Sequence, residues 1–109
     1  MWNPIQETGA VEKIISQSHE TPQVIFKHST RCSISTVAKN RLERSYSVTV
    51  IQFHYLDLLA YRSVSNFISE RLGIPHASPQ ILLIKNGTCI YNESHMSIDM
   101  DSLLAQANI

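Results

Sequence analysis

The residue best suited to covalent chemistry is Cys32, in the run Phe26-Lys27-His28-Ser29-Thr30-Arg31-Cys32-Ser33-Ile34-Ser35. Val24 to Phe26 form an apolar stretch before it and a helical apolar spacing follows it, so the thiol should sit where a buried strand turns into a helix. Backbone N–H groups at a helix start are unpaired and the helix dipole adds partial positive charge, which favours thiolate over thiol. Arg31 adjoins the cysteine, and Lys27 and His28 add positive potential in the same segment. A dithiol enzyme would carry its second cysteine three residues later, where this chain has Ser35. A redox-active Cys32 therefore works without a resolving partner in its own motif. The competing reading is a buried cysteine that only fills space; the polar run Lys27 to Arg31 argues for an accessible one.

A second segment bears on the same chemistry. Ala77-Ser78-Pro79-Gln80 precedes an apolar strand, and an X-Pro bond adopts the cis form at modest cost. A cis bond at Pro79 would turn the backbone of Ser78 toward the thiol, where its N–H and C=O could pair with a bound thiol or disulfide as an added strand does. Spacing alone favours an ordinary trans proline. His28, His76 and His95 are candidates to donate to a thiolate or to take a proton from an incoming thiol, with His95 favoured because the last strand should end near the cysteine. Cys89, in an apolar strand after a turn, reads as a small core residue. Three histidines and a cysteine lack the close spacing of zinc ligands, so no metal centre is expected.

The elements that must position these groups follow from apolar periodicity. Val11, Ile14 and Ile15 mark a short helix over Gly9 to His19, with Thr8 or Gly9 to cap it. Val24-Ile25-Phe26 is a continuous apolar run, the pattern of a central strand covered on both faces. Ile34, Val37, Ala38 and Leu42 mark a helix from Cys32 to about Arg44. Ser47 to Leu56, rich in β-branched and aromatic residues, reads as a strand, and Gln52 and His54 suggest an edge. Val64, Phe67, Ile68 and Leu72 form another helix, stopped by Gly73. Ile81 to Ile84 and Cys89 to Tyr91 flank Asn86-Gly87, a pair that favours a two-residue hairpin turn. A closing helix over Asp99 to Ala107 can start at Asp99. Tyr46, Phe53, Tyr55, Tyr61, Phe67, Met96 and Met100 are expected to pack the core or its rim, and Trp2 to pin the N-terminal segment.

Strand-helix-strand, then helix, hairpin and helix, gives an α/β fold of thioredoxin-like arrangement, with a mixed four-stranded sheet flanked by helices on both faces. The expectation is one domain over residues 1–109, with residues 1–20 as a helical N-terminal extension. The 109 residues and 43% hydrophobic content suit one modest core. Nine basic residues are scattered among nine acidic ones, which leaves no basic stripe for nucleic acid or anionic lipid. The start lacks a signal-peptide pattern and no apolar run reaches bilayer length, so a cytoplasmic protein without membrane association is expected. A reducing compartment argues against a disulfide between the two cysteines.

Several separated motifs in one order carry a resemblance. The Phe26 to Cys32 run, Ile34-Ser35, His76-Ala77-Ser78-Pro79-Gln80, the Leu83-Ile84-Lys85-Asn86-Gly87 hairpin and Ser94-His95 together resemble the monothiol bacilliredoxin family, from about Val24 to the C-terminus. The resemblance implies a thioredoxin-like fold and removal of bacillithiol from protein cysteines. It implies Cys32 as the attacking thiol and Pro79 as a cis-proline, with His28, Ser78 and His95 nearby; Arg31, Ser35, Ser78, Pro79, His95 and His28 are the residues expected to bind substrate. S-thiolated proteins and the small thiol, as co-substrate, would be the partners, with no bound cofactor. Arg31, with Lys27 or Arg62, would meet the carboxylates of a malate-bearing thiol. Two positions depart from the family pattern: Ser33 replaces a proline after the cysteine and loses its fixed φ, and Met96 replaces a tryptophan after His95. An iron-sulfur carrier of the monothiol glutaredoxin kind is an alternative, though Ser33-Ile34 replaces that group's glycine-phenylalanine. A non-catalytic thioredoxin-like binding module is another.

Overall fold

The computed structural model describes residues 1–108. Five strands and four helices alternate along the chain as β1 (Trp2–Pro4), α1 (Thr8–Gln17), β2 (Gln23–His28), α2 (Ser33–Ser45), β3 (Gln52–Asp57), α3 (Arg62–Leu72), β4 (Gln80–Lys85), β5 (Thr88–Ser94) and α4 (Met100–Ala107), with a 3-10 turn at His95–Ser97. The sheet order is β1-β3-β2-β4-β5, so β2 is central. β3 runs parallel to β1 and β2, whereas β4 is antiparallel to both β2 and β5.

The continuous apolar run of β2 has the expected cause. Val24 and Phe26 face a core closed by Ala38 and Leu42 of α2 and by Met100, Leu103 and Ala107 of α4. Ile25 faces the opposite core with Val11, Ile14 and Ile15 of α1 and Val64 and Ile68 of α3. Alternate residues of one strand thus feed two cores, and neither face offers water a polar side.

The sheet has five strands where the sequence pattern predicts four. Residues 1–20 are not wholly helical: Trp2–Pro4 pairs with Phe53–Tyr55 and occupies the edge that β3 was expected to form. Three residues carry no readable period, and proline is tolerated on an edge strand because its missing N–H faces outward. Tertiary contacts hold the strand. Trp2 stacks on Phe26 with ring centroids 5.5 Å apart, its Nε1–H donates to Glu43 at 2.6 Å, and Ile5 beyond the strand is buried, worth about 2 kcal/mol. Covered by β1, His54 faces inward and bonds Gln23 Oε1 through Nε2 at 2.7 Å.

Other differences are local. β3 starts at Gln52 rather than Ser47; the β-branched residues before it lie in a loop where Val48 is 94% exposed. Residues that suit a pleated surface form a strand only if a neighbour pairs with them. Helix α1 has Glu7 at its N-cap without a side-chain cap bond, in place of the expected Thr8 or Gly9. Gly73 ends α3 at φ 69°, and Asn86 and Gly87 take φ 54° and 80°, both left-handed as a primed hairpin turn requires. Asp99 caps α4 by accepting from Ser102 N–H at 3.0 Å. No helix among the described residues is long and apolar enough to cross a membrane.

Candidate active site at the end of the central strand

Cys32 is the N-cap residue of α2, in extended conformation at φ −107° and ψ 119°. Its side chain makes no cap hydrogen bond and is partly exposed. The loop beneath it is closed by its own polar groups: Cys32 N–H donates to Ser29 C=O at 3.1 Å, and Ser29 N–H donates to Ser35 Oγ at 3.0 Å. The Cys32 carbonyl accepts from Thr36 N–H at 3.1 Å. The thiol is therefore carried on a fixed turn with its sulfur uncommitted.

Ser35 and His28 are brought together under this turn. Ser35 is fully buried and its Oγ lies 2.6 Å from His28 Nδ1. Burial first, and the charge of Lys39 second, hold the His28 pKa below the ordinary histidine value. The neutral ring lets the serine hydroxyl donate to Nδ1 while it accepts from Ser29. His28 itself is sandwiched between Phe26 and Tyr55. Both residues thus brace the loop from below and, being buried, do not offer the substrate-binding surface expected of them. At the position where a resolving sulfur would stand, the chain has a hydroxyl already occupied by two partners.

Strand register places the other expected residues at the same end of the sheet. Lys27 is the Cα partner of Gln80, and Gln80 of Ser94, so the end of β2, the start of β4 and the end of β5 lie side by side. The Ser78–Pro79 bond is cis. Pro79 C=O accepts from His95 N–H at 3.0 Å, which ties the segment before β4 to the turn after β5. His95, at φ 55°, is exposed, as is Arg31. Arg41 Nη1 donates to Met96 C=O at 3.3 Å, anchoring that turn to α2. Met96 is exposed instead of packing the core; with Ile34 and Val37 on the first two turns of α2, also exposed, it adds to the apolar surface on the α2 side. Ser78 Oγ is buried without a hydrogen-bond partner, and its backbone N–H and C=O enter no hydrogen bond among the described residues.

Lys27 corrects one expectation. Its side chain points to the α3 side, away from the face that carries His28, and is fully buried. The amine donates to Ser65 C=O at 3.1 Å and to His76 Nδ1 at 3.3 Å. A lysine buried there cannot meet a ligand carboxylate. Burial pushes its pKa down to about 8, and burial, with the charges of Lys27 and Arg62, holds His76 below the ordinary histidine value.

Gln80 was not singled out by spacing. Buried at the start of β4, it donates from Nε2 to Pro75 C=O at 3.1 Å, and its Oε1 accepts from Ala77 N–H at 3.4 Å. The available signal was a polar residue at each end of an otherwise apolar strand: Gln23, Lys27 and Gln80 all hold such places. Cys89 is half-buried beside the opposite core; burial raises its thiol pKa. It lies in β5 opposite Ile84, which pairs with Gln23, so the length of β2, about 17 Å, separates it from Cys32. A surface cleft of about 320 Å³ lined by Asn3, Lys13, Gln17, Gln52 and His54 does not include the thiol. Among the described residues, no group of three or more His, Cys, Asp or Glu is placed to hold a metal ion.

Comparison with known proteins agrees with this geometry. Residues 3–103 match the family described as "Monothiol bacilliredoxin BrxC". Among solved structures, the chain is similar to "A putative oxidoreductase with a thioredoxin fold" at 26% identity and TM-score 0.82, covering 99% of this chain and 94% of that one. It is also similar to thioredoxin O2 from Arabidopsis thaliana in its oxidized state at 16% identity and TM-score 0.72, covering 96% and 92%. Thioredoxin from Fasciola hepatica matches at 14% identity and TM-score 0.74, covering 97% and 96%.

Proposed function

The chain belongs to the monothiol bacilliredoxin family, and from that membership we propose that it removes bacillithiol from protein mixed disulfides, with Cys32 as its one reacting sulfur. The thioredoxin fold and the family support a thiol oxidoreductase-like function at the coarser level. The observation that carries the finer reading is the pairing of an uncommitted, partly exposed Cys32 with a buried, doubly bonded Ser35.

In the first step the Cys32 thiolate attacks the bacillithiol sulfur of the mixed disulfide. A Cys32–bacillithiol disulfide forms, the original sulfur–sulfur bond breaks, and the client leaves as a thiolate that takes a proton from solvent. With no sulfur at position 35, the adduct waits for a second bacillithiol thiolate. That thiolate attacks the bacillithiol sulfur, leaves as oxidised bacillithiol and returns Cys32 as thiolate. Overall one disulfide replaces another: the client's mixed disulfide and one free bacillithiol become a free client thiol and oxidised bacillithiol.

Cys32, at the N-cap of α2 with its sulfur partly exposed, is open to an incoming disulfide. The unpaired backbone of Ser78 is suited to hold the chain around the disulfide, as an added strand is held. Exposed Ile34, Val37 and Met96 supply apolar area for a protein client, and exposed Arg31 supplies a guanidinium for the small thiol's carboxylates. A thiol of this kind works in a reducing compartment such as the cytoplasm.

The test is intact mass spectrometry of the reduced protein mixed with bacillithiol disulfide. One bacillithiol on wild type and none on Cys32→Ser supports the reading. Wild type that takes up no bacillithiol defeats it.

A further inference from the structure

Every residue between α3 and β4 except Ser78 is tied down. Ile74 N–H donates to Ser69 C=O at 3.1 Å and its carbonyl accepts from Ser69 Oγ at 2.5 Å. Pro75 and Ala77 are held by the Gln80 amide, His76 by Lys27 and Ser65, and Pro79 by His95 N–H. Lys27 and Gln80 are Cα partners on adjacent strands. Two neighbouring sheet residues therefore reach three consecutive residues of the connection, Pro75, His76 and Ala77.

Stability alone does not account for the lysine. Its amine is buried on the α1 and α3 side of the sheet, and among the described residues no carboxylate lies within ion-pair distance of it. A buried ammonium without a counter-charge costs several kcal/mol unless its donors are used, and an apolar residue of similar volume commonly serves a core as well or better. Burial lowers its pKa to about 8, so the charge is kept with little margin at neutral pH. What the amine does is bridge α3, through Ser65 C=O, to His76 in the connection.

We propose that Lys27 is a positioning residue: the bridge from its amine to Ser65 C=O and His76 Nδ1 fixes the connection that presents Ser78 to a bound disulfide. Loss of the bridge leaves His76 held by Ser65 Oγ alone and lets the connection open more often, the Ala77–Gln80 bond and Ser78 with it. The consequence for catalysis rests on the oxidoreductase reading; the positioning itself is measurable without turnover. The charged and titratable groups acting on the His76 ring are Lys27 from β2 and Arg62 from α3, both lowering its pKa.

The experiment uses Lys27→Met, which keeps an unbranched side chain without the charge, with His76→Leu and His76→Gln at a more exposed position. Three readouts are taken: amide hydrogen exchange over residues 74–78, NMR titration of the His76 ring, and reduction of a test protein carrying bacillithiol on a single cysteine. In Lys27→Met the Ala77 amide exchanges about tenfold faster and the His76 pKa rises. His76→Leu, which leaves the amine with the Ser65 carbonyl as its one acceptor, likewise speeds exchange and raises KM for the protein disulfide severalfold. His76→Gln, whose side-chain oxygen accepts from Lys27, restores most of both. If Lys27→Met does not fold, the His76 pair decides. Unchanged exchange in Lys27→Met and His76→Leu, or equal losses in His76→Leu and His76→Gln, overturns the proposal. Should wild type form no bacillithiol adduct, the oxidoreductase reading falls, and exchange with the His76 titration still decides the positioning.

Discussion

The two ends of β2 are built from similar parts and serve different ends. Each buries a histidine beside a neutral hydrogen-bonding side chain: His54 with Gln23 where the strand begins, and His28 with Ser35 where it stops. Burial lowers both histidine pKa values. At the first end the neighbouring strands are joined by the tight Asn86-Gly87 turn, and Gly87 N–H donates to Ser18 Oγ at 2.8 Å. Cys89 at that end is partly buried, as Cys32 is, but its sulfur donates to Tyr91 C=O at 3.4 Å. At the second end no hairpin joins the strands: the turn to α2, the β3–α3 connection, whose Leu58 N–H donates to His28 C=O at 2.9 Å, the segment before β4 and the turn after β5 meet there. Cys32 there stands on a helix start with its sulfur uncommitted. The contrast teaches that placement at an element end, more than the residue type, decides whether a cysteine's sulfur is engaged within a strand or left uncommitted.

The largest effect expected is on the sulfurs themselves. With iodoacetamide at neutral pH, Cys32 should label about tenfold faster than Cys89 or more, since burial raises the Cys89 pKa and shields its sulfur; peptide mass spectra give the two rates. Cys89→Ser should then react with bacillithiol disulfide as wild type does, and equal labelling of the two thiols would erase the contrast.

Next comes the brace under the reactive end. Ser35→Ala leaves the Ser29 N–H and the His28 ring without their shared partner. The buried ring and the partly buried N–H left unpaired cost about 2–3 kcal/mol together, read as a lowered urea midpoint.

The closed end is sharpened by pH. His54 titrates at about 4 in the folded chain and near 6.5 when unfolded. A depressed folded pKa means that the unfolded chain takes up the proton first, so this stability is complete above pH 6.5 and is lost as pH falls toward 4. Urea unfolding at pH 7 and pH 4.5 should differ by about 2–3 kcal/mol from this group, with His28 adding in the same direction. His54→Gln should flatten the difference by that amount.

The smallest effect tests the hairpin. Gly87 has φ 80°, and a Cβ there would stand 3.0 Å from the His19 ring. Gly87→Ala should cost about 1–2 kcal/mol in thermal or urea unfolding, with bacillithiol uptake by Cys32 unaffected because the turn lies at the opposite end.

Much of the fold was legible because burial imposes a period. The spacing of Val11, Ile14 and Ile15, of Ile34, Ala38 and Leu42, and of Val64 and Ile68 marked the helices, and the unbroken Val24-Ile25-Phe26 marked a strand with a core on each face. Turn chemistry at Gly73 and Asn86-Gly87 set two boundaries, since only those residues adopt left-handed backbone at low cost. Cys32 was legible for the same reason, as a thiol between a strand pattern and a helix pattern. Strand β1 was not legible: three residues carry no period, and what holds them is an edge and a Trp2 pocket formed by residues far along the chain. Nor was the direction of Lys27, because alternation along a strand gives the face only once it is known which helices cover it.

The sequence by itself determined the four helices, four of the five strands and the place of Cys32 between a strand and a helix, since local spacing and backbone preference act over a few residues. Only the tertiary structure decided which groups meet: that Ser35 is held by His28, that His95 pairs with Pro79, that Lys27 turns to His76, and that Cys89 stays a strand's length from Cys32. Those pairings join residues distant in sequence through sheet register, and register is fixed by the packing of the two cores together, which no single segment encodes.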